Sequence, residues 1–463
     1  MYKKGLGMTI NTTKKIPEKS VAFLTLGCKV NSYETNGMEK LFIEAGYKIT
    51  KFHEKASLYI INTCTVTNIA DRKSRQMLHK AKKINPDGIV VAVGCYAQAS
   101  KETLEADGRI DIVVGNNQKK NIVSIVENYM NDVSKNEAVI NINKDQEYEE
   151  LTIESVGDKI RAYIKIQDGC NQFCSYCIIP YARGRVRSRK PEDVIREVTR
   201  ISKEGYKEVV LTGIHLSSYG IDLTENKQGR KEYHNKELIQ LITDISNING
   251  IERIRLGSLE PRIITEEFVA ALAENKKFCP HFHLSLQSGS NKTLKRMNRR
   301  YTSDEYYERC ELLRKYFKHP AITTDVIVGF PGETTDEFEE SKEFLKKVSF
   351  AKMHIFKYSK RKGTKAESME NQVEDSIKQD RSNQLIRIGT RLEKEYKQLF
   401  MDKIEKVLVE EEIEIDGEKY QVGHNMRYLK IAFLSDKDYV NEIVNVRITG
   451  YLTDEILLCK IID

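Results

Sequence analysis

The chain has 463 residues, a length at which a polypeptide normally divides into about two to four domains. Hydrophobic residues make up 40% of it and charged residues 31%, a balance that excludes a wholly disordered chain and a polytopic membrane protein. Lys and Arg number 75 against 68 Asp and Glu, so the net charge of +7 is informative only where it is clustered.

The chain has nine cysteines, an odd number, whose interpretation depends on the compartment. The first apolar run, Val21 to Leu26, is too short for the core of a signal peptide, and no run approaches the roughly 18 apolar residues of a membrane span. We therefore expect a cytoplasmic protein that does not enter a membrane. In that compartment, cysteines serve as metal ligands or free thiols more often than they form disulfides.

Residues 19–132 are predicted to form an N-terminal α/β domain. Short β-rich runs such as VAFLTLGC and LYIINTC each precede a segment whose apolar residues have helical spacing. This alternation is typical of a parallel sheet. Residues 131–158 are charged and show no sustained period, which predicts a linker.

Residues 155–385 are predicted to form a central partial (β/α)6 barrel, because β-rich segments again alternate with helical ones. The strands are expected at Ala162–Ile166, Glu208–Leu211, Arg253–Leu256, Phe282–Leu286, Thr323–Val328 and Met353–Phe356. Right-handed parallel crossovers of this kind curl into a barrel whose chemistry lies at the carboxyl ends of its strands.

The last part of the chain has a different pattern. After a long charged helix around residues 381–400, the apolar residues alternate with polar ones, as in KVLVEEEIEI and EILLCKII. Residues 388–460 are therefore predicted to form a small antiparallel β-barrel. The fold class expected for the whole chain is α/β, with this all-β unit at its end.

The most informative motif is a CxxxCxxC segment directly after the first predicted barrel strand, formed by Cys170, Cys174 and Cys177. Three thiolates at this spacing predict a metal site. A structural zinc site is the alternative, but it needs a fourth ligand, and no Cys or His follows nearby. A 4Fe-4S cluster on three cysteines leaves one iron open, which suits a reaction centre at the mouth of a barrel.

A second set comprises Cys28, Cys64 and Cys95, each at the end of a predicted parallel strand. Residues at the carboxyl ends of neighbouring strands converge on one crevice, so we expect a second three-thiolate site there. The alternative is three small buried side chains, since free cysteine is often buried. The remaining cysteines lack such a placement and are expected to be ordinary core or surface thiols: Cys279, Cys310 and Cys459.

Four motifs resemble those of the radical S-adenosylmethionine (SAM) methylthiotransferases: LGCKVN from Leu26, NTCTVT from Asn62, GCYAQ from Gly94 and CNQFCSYCIIPYARG from Cys170. The resemblance covers nearly the whole chain from about residue 20 onward. It implies two 4Fe-4S clusters, one on each cysteine set, with SAM as both radical source and methyl donor. It also implies that the C-terminal barrel is the RNA-binding domain called TRAM, in which three cations are expected to help hold tRNA: Arg427, Lys430 and Arg447.

Polar and glycine residues at the predicted strand ends of the barrel are the candidates for binding SAM. Barrel geometry directs these positions towards the active site, and the run from Asp325 to Glu333 resembles segments of the superfamily that contact adenine and ribose. The alternative for any one of them is a turn glycine or a helix cap. The candidates are Thr212, Gly213, Ser258, Glu260, Gln287 and Gly329.

Basic residues cluster directly after the CxxxCxxC segment, where residues 181–190 carry five cations and no acid. Lys and Arg neutralise phosphates, while Tyr and Phe stack on unpaired bases. We therefore predict RNA contacts for Arg183, Arg185, Arg187 and Arg189, with further basic stretches at residues 295–301 and 356–362. A solvated surface is the alternative for any single run of this kind.

The Lys29-Val30 pair and the IIPYARGR continuation resemble most the branch of the family that acts on N6-threonylcarbamoyladenosine in tRNA. The resemblance implies that a methylthio group is added to carbon 2 of that nucleoside at position 37, beside the anticodon. The expected partners are a tRNA anticodon loop, an electron donor such as flavodoxin or ferredoxin, and a sulfur source. Because the substituent is anionic, the pocket is expected to hold a cation, and Lys29 is a candidate.

Three alternatives stay open at this point. Two are enzymes of the same family, which modify isopentenyladenosine at position 37 of tRNA or an aspartate of a ribosomal protein. The third is an iron-sulfur RNA-binding module without radical chemistry. The arginine-rich segment favours RNA over a protein substrate.

Overall fold

The N-terminal part of the protein is a parallel five-stranded sheet. The structure is a computed structural model that describes residues 19–133, 138–144, 147–152, 160–223 and 236–462. The strands of this sheet are β1 (Ser20–Thr25), β2 (Lys48–Thr50), β3 (Leu58–Thr63), β4 (Ile89–Gly94) and β5 (Ile112–Val114). They lie in the order β2-β1-β3-β4-β5, and every neighbouring pair is parallel.

Helices cover both faces of this sheet. They are α1 (Lys29–Glu44), α2 (Asn68–Ile84), α3 (Cys95–Ala99), α4 (Lys101–Glu105) and α5 (Ile122–Met130). The alternation along β3 sends Leu58 and Ile60 to the face covered by α1 and α5, and Tyr59 and Ile61 to the face covered by α2, α3 and α4. A strand buried on both faces explains the continuous apolar run in this segment.

The central part is an open barrel whose strands lie in two four-stranded sheets. They are β6 (Arg161–Asp168), β7 (Arg187–Ser188), β8 (Glu208–Gly213), β9 (Arg253–Leu256), β10 (Ser258–Leu259), β11 (His281–Leu284), β12 (Ala321–Val328) and β13 (Lys352–Lys357). The sheet orders are β7-β6-β8-β9 and β10-β11-β12-β13. All pairs are parallel except β6 with β7. The predicted six-stranded partial barrel is confirmed, and β7 and β10 are short additions to it.

Helices pack around the outside of the barrel. They are α6 (Ile179–Arg183), α7 (Pro191–Lys203), α8 (Lys236–Ser246), α9 (Glu266–Glu274), α10 (Asn291–Arg296), α11 (Ser303–Tyr316), α12 (Thr335–Val348) and α13 (Asp375–Gln398). Thr334 caps α12 through a capping box with Glu337, as its sequence predicts. None of the helices in the described ranges combines the length and the apolarity needed to cross a membrane.

The C-terminal part is a closed five-stranded barrel. Its strands are β14 (Ile404–Ile415), β15 (Glu418–Asn425), β16 (Lys430–Leu434), β17 (Ile443–Tyr451) and β18 (Leu457–Ile461). The closed order is β14-β15-β16-β18-β17. The antiparallel prediction holds for every pair except β16 with β18, which are parallel because the chain crosses over to close the barrel.

The segment predicted as a linker is a packed connection. Its described residues, 138–144 and 147–152, include Leu151, which is 4% exposed and lies in the core of the barrel. Tyr33 of α1 donates a hydrogen bond to the Leu151 carbonyl, and Tyr148 donates one to the Lys165 carbonyl over 2.7 Å. Residues 131–133 of the predicted linker are also described, whereas residues 134–137, 145–146 and 153–158 lie outside the described residues. The described part therefore joins the N-terminal sheet to the barrel.

A buried carboxylate at the start of β8 organises the contact between the two barrels. Glu208 accepts hydrogen bonds from Arg161 over 2.7 Å and from Arg255 over 2.9 Å. Arg255 and Arg253 also donate to main-chain carbonyls at the end of β15. Although burial opposes ionisation, Arg255 and Arg161 lower the pKa of Glu208 to about 2. Glu410 of the C-terminal barrel also pairs with Arg161 over 2.6 Å, so the two barrels are joined through arginines that share the ionised Glu208.

We predict that Glu208→Gln lowers the free energy of unfolding by about 3–5 kcal/mol, because it leaves buried arginines without a counter-charge. The folded-state pKa lies below the ordinary value, so this contribution is fully present above about pH 4.5 and is lost as the pH falls towards 2. Urea unfolding of the full-length protein at several pH values measures both effects.

Glu343→Gln is the matched control, since Glu343 pairs with Lys346 on an exposed surface. Such a pair contributes at most about 1 kcal/mol. Equal losses in the two variants would contradict the role given to Glu208.

Candidate metal centres and active site

The first cysteine set meets at one edge of the N-terminal sheet. Cys28 follows β1, Cys64 follows β3 and Cys95 begins α3 directly after β4, and these strands are neighbours in the sheet. A Cβ on Gly27 would lie 3.0 Å from the Cys64 Sγ, so the loops approach closely. Burial is the main cause that raises the pKa of Cys64 to about 11, with smaller contributions from the other two thiols. The three thiols thus lie together.

Hydrogen-bond donors surround the Cys95 sulfur. The Nε of Arg183 donates to the Cys95 Sγ over 3.1 Å, and the Nδ2 of Asn116 lies 3.7 Å from the same atom. A cationic donor stabilises a thiolate over a thiol. N–H donors directed at a sulfur are contacts that metal-bound cysteines make, so the surroundings of Cys95 suit a ligand role.

A buried ion network connects the first cysteine set to the barrel. Arg183 lies 2.8 Å from Glu34 and 3.1 Å from Asp168. The ammonium of Lys165 lies 2.8 Å from Glu34 and 2.7 Å from Asp168, and Lys119 lies 3.1 Å from Glu34. Although burial opposes ionisation, these cations hold the pKa values of Glu34 and Asp168 below their usual range.

The second cysteine set lies on the loop between β6 and α6. Gly169 precedes it with a φ of 71°, and a Cβ there would lie 1.8 Å from the Arg185 carbonyl oxygen. Only glycine therefore fits where the loop packs on its own backbone. Burial raises the pKa of Cys170 to about 11 and that of Cys177 well above its usual value, and the Cys174 thiol contributes to both.

A second arginine, Arg299, donates a hydrogen bond to a cysteine of this loop. The Nη1 of Arg299 donates to the Cys174 Sγ over 3.3 Å, and its guanidinium lies over the Tyr301 ring at 4.9 Å. Residues 295–301 are predicted from the sequence to bind RNA. In the structure, however, Arg299 contacts the loop that carries Cys174, and Arg296 pairs with Glu337. That prediction is corrected for these two arginines, because their partners are inside the protein.

The residues present fit a 4Fe-4S cluster at each set. Both sets offer three sulfur donors, and each has one arginine N–H directed at a ligand sulfur. Within the described ranges, no three His, Cys, Asp or Glu side chains are placed to hold a single metal ion. Cluster ligands bind different irons, so they lie farther apart than the ligands of one ion.

A cavity of about 710 Å³ lies where the three parts of the protein meet. Cys28 and Lys29 line it from the N-terminal sheet, and Tyr428 and Lys430 line it from the C-terminal barrel. Between them its wall is formed by strand residues of the central barrel, including His283. The size is that of a pocket for a small ligand or a nucleoside.

Four of the SAM candidates have surroundings that suit a ligand. Thr212, Gly213 and Ser258 line this cavity. Glu260 is 5% exposed, and its Oε2 atom has no hydrogen-bond partner among the described residues. A buried acceptor without a partner is costly unless a ligand donates to it, and the ammonium group of SAM is such a donor.

Two candidates differ from the others. Gln287 is buried at the end of β11 with a φ of 73°, and it does not line the cavity. Gly329 was selected as a place where a ligand approaches the backbone. The structure instead places Lys378 of α13 against it, because a Cβ on Gly329 would lie 2.2 Å from the Lys378 Cγ. Its glycine is explained by helix packing and a φ of 68°.

The structure corrects the RNA-binding prediction for three arginines. Arg183, Arg187 and Arg189 are at most 1% exposed. Arg183 belongs to the ion network, Arg187 donates to the Arg183 carbonyl over 2.9 Å, and Arg189 pairs with Glu197. Their charges are used inside the protein, so they do not form a surface for RNA. Arg185 is exposed and stays a candidate for RNA binding.

Other basic residues also divide between interior and surface. Arg361 is 6% exposed and donates to the Thr65 hydroxyl, next to Cys64. Arg427 donates to a main-chain carbonyl just before β12 over 2.8 Å, so it holds the C-terminal barrel against the central one. Arg447 is exposed.

Several residues that support the cysteines were missed from the sequence. One available signal was the pair Lys165 and Asp168 in the predicted barrel strand β6, since charges buried in a strand require partners. The partners themselves are far away in sequence and gave no signal. The missed residues are Glu34, Asn116, Lys119, Lys165, Asp168 and Arg299.

Comparison with known proteins agrees with this geometry. Residues 164–345 match the Radical SAM superfamily, and residues 20–115 match the uncharacterized protein family UPF0004. The threonylcarbamoyladenosine tRNA methylthiotransferase MtaB of Bacillus subtilis (strain 168) is 42% identical over 96% of this chain and 97% of its own length. The chain belongs to the radical-SAM tRNA methylthiotransferases.

Two further relatives of this methylthiotransferase span both chains almost completely. The MtaB protein of Aquifex aeolicus (strain VF5) is 40% identical over 88% of this chain and 99% of its own. A tRNA-2-methylthio-N(6)-dimethylallyladenosine synthase of Clostridium botulinum (strain Langeland) is 35% identical over 92% and 93%. This methylthiotransferase therefore uses SAM and 4Fe-4S clusters as cofactors.

A solved structure supports the fold. The radical SAM methyltransferase TsrM from Kitasatospora setae, with cobalamin and a 4Fe-4S cluster bound, matches with a TM-score of 0.55 at 14% identity. The match covers 76% of this chain and 77% of that chain. At this identity, the likeness concerns the fold alone.

We predict that the anaerobically reconstituted methylthiotransferase binds about eight iron atoms, four at each cysteine set. Replacing Cys170, Cys174 and Cys177 together by Ala should halve the iron content, and so should replacing Cys28, Cys64 and Cys95. Iron analysis with Mössbauer spectroscopy measures this. Cys310→Ala is the control and should keep all the iron, since Cys310 is buried away from both sets. Complete loss of iron from either folded triple variant would contradict two independent sites.

Proposed function

We propose that this methylthiotransferase adds a methylthio group to carbon 2 of N6-threonylcarbamoyladenosine at position 37 of tRNA. The two MtaB proteins, named for threonylcarbamoyladenosine, are 42% and 40% identical to the chain, against 35% for the dimethylallyladenosine synthase of Clostridium botulinum. The structural observation that supports the proposal most directly is the environment of Lys29.

Lys29 is a cation in the cavity that makes no ion pair with the nearby Glu208. Its ammonium lies over the Tyr163 ring, 5.6 Å from the ring centroid, and it makes no ion pair within the described part of the chain. Burial, with the nearby Arg255 and Arg161, lowers its pKa to about 8. The threonylcarbamoyl group carries a carboxylate, which would supply the missing counter-charge. The apolar isopentenyl group would not.

The position of Lys29 suits the reaction as well as the substituent. Lys29 follows Cys28 directly in the chain, so a nucleoside whose substituent is held by the ammonium lies beside the first cysteine set. Thr212 and Ser258 face the same cavity from the barrel. A base in a single-stranded loop can turn into such a cavity without breaking a duplex.

The chain's own residues bind SAM and the nucleoside and orient them for the reaction. When bound, the clusters would supply the sulfur and the electron for the reductive cleavage of SAM, and SAM would supply the methyl group. Glu260 offers its unpartnered carboxylate oxygen to a donor group of SAM. The wall of the cavity comes from all three parts of the protein, so each of them can contact a bound nucleoside.

The proposal includes partners and a place. We infer a tRNA anticodon loop as substrate, a one-electron donor such as flavodoxin or ferredoxin, a separate sulfur source, and a cytoplasmic location. All nine cysteines are free thiols in the structure, which supports a reducing compartment. The basic candidates that remain for the RNA contact include the exposed Arg185 and Arg447, the cavity-lining Lys430 and the exposed lysines of residues 356–362.

The proposal is tested by mass spectrometry of nucleosides from tRNA of a deletion strain. Methylthio-threonylcarbamoyladenosine should disappear, unmodified threonylcarbamoyladenosine should accumulate, and the chain supplied from a plasmid should restore the product. Loss of methylthio from isopentenyladenosine instead would overturn the substrate while leaving the reaction class. Unchanged tRNA together with loss of methylthio from a ribosomal-protein aspartate would overturn tRNA as the substrate.

We predict that Lys29→Gln raises the KM for tRNA bearing threonylcarbamoyladenosine roughly tenfold to a hundredfold, because a charged hydrogen bond contributes about 1.5–3 kcal/mol. Lys29→Arg should recover most of the loss. The measurement is steady-state kinetics with in vitro modified tRNA, accompanied by an assay of SAM cleavage without tRNA, which should be unchanged.

Lys352→Gln is the matched control, since Lys352 lines the same cavity but lies 3.6 Å from Glu393. It should leave the KM within about threefold of the wild-type value. Equal effects of the two substitutions would show that the cavity attracts RNA by general charge, without recognition of the substituent by Lys29.

A further inference from the structure

One arginine of the barrel reaches into the metal site of the other domain. Arg183 ends α6, shortly after Cys177. Its Nε nevertheless donates to the Sγ of Cys95, a residue of the N-terminal sheet, over 3.1 Å. The loop that carries the second cysteine set therefore continues into a side chain that contacts a ligand of the first.

The Arg183 guanidinium is held on every side. Its Nη1 donates to Glu34 over 2.8 Å and to Asp168 over 3.1 Å, and its Nη2 donates to Asn31 over 2.7 Å. The side chain is fully buried. The planar guanidinium has one orientation in which all these hydrogen bonds form, and that orientation directs its Nε–H at the Cys95 sulfur.

The network around this contact carries excess positive charge. The carboxylates paired in it are Glu34 and Asp168, and the cations paired with them in the described ranges are Arg183, Arg187, Lys119 and Lys165. Glu149 is a further buried carboxylate whose charge acts on Lys165, and four cations against three carboxylates still leave a net positive charge beside Cys95. A buried charge of this kind is weakly screened, so it acts on whatever the sulfur binds.

We propose that Arg183 is a positioning residue that sets the reduction potential of the cluster at Cys28, Cys64 and Cys95. By stabilising the reduced state, Arg183 keeps that cluster able to accept an electron. Reduction adds a negative charge to a cluster, and a nearby cation with an N–H···S hydrogen bond stabilises the reduced state. Arg299 stands in the same relation to Cys174 at the other set. The proposal concerns the cofactor site and does not depend on the identity of the nucleoside.

The experiment measures the potential of this cluster alone. In full-length protein that carries Cys170→Ala, Cys174→Ala and Cys177→Ala, the remaining cluster is titrated potentiometrically and followed by EPR. Arg183→Gln should lower its midpoint by at least about 59 mV, a tenfold change in a one-electron equilibrium. Arg183→Lys keeps the charge and should recover most of the shift.

Two further variants make the result decisive. Arg189→Gln removes another buried arginine, which pairs with Glu197 and contacts no cysteine in the described ranges, and it should leave the potential unchanged. Arg183→Gln combined with Glu34→Gln removes one cation and one carboxylate together, so it tests the contact even if the single variant folds poorly. Its potential should also fall.

The possible outcomes separate clearly. A fall in both Arg183→Gln proteins, with recovery in Arg183→Lys and no change in Arg189→Gln, supports the proposal. An unchanged midpoint in the Arg183→Gln proteins, with iron content and circular dichroism retained, would limit Arg183 to a structural role. An equal fall in Arg189→Gln would overturn the specific contact in favour of a general charge effect.

Discussion

The contact between the N-terminal sheet and the barrel depends on a buried ion network with Glu34 on one side and Asp168 on the other. Isolated charges in a protein interior are costly, and removing one partner of such a network typically costs several kcal/mol. Arg183 forms ion pairs with both carboxylates at once. The N-terminal sheet and the central barrel therefore have one favourable position relative to each other. That position brings the two cysteine sets to the same region, although Cys28 and Cys177 belong to different domains.

The cavity is a consequence of the same arrangement. The sheet supplies Cys28 and Lys29, the barrel supplies the strand ends, and the C-terminal barrel closes the far side with Tyr428. The C-terminal barrel is itself held in place by arginines that share Glu208. Two buried carboxylate centres therefore position the three parts of the protein around one cavity, which Cys28 of the first cysteine set lines.

Much of the fold was predictable, because apolar periodicity is a local signal and the strand–helix alternation specifies a parallel sheet. The convergence of Cys28, Cys64 and Cys95 followed from topology alone. Arg183, Arg187 and Arg189 were placed wrongly because a local charge run does not reveal partners such as Glu34 and Glu197, which are distant along the chain. The packing of Lys378 against Gly329 was hidden for a similar reason, since Lys378 belongs to a later helix.

Our central proposal is that the two cysteine sets form one reaction centre, because Arg183 contacts both Cys95 of the first set and Asp168, which closely precedes Cys170 of the second. EPR spectroscopy of the fully reduced holoenzyme tests it most directly, because two nearby paramagnetic clusters broaden and split each other's signals. The account predicts a spectrum that differs from the sum of the spectra of the two triple-cysteine variants. A wild-type spectrum equal to that sum, with both clusters fully reduced, would contradict it.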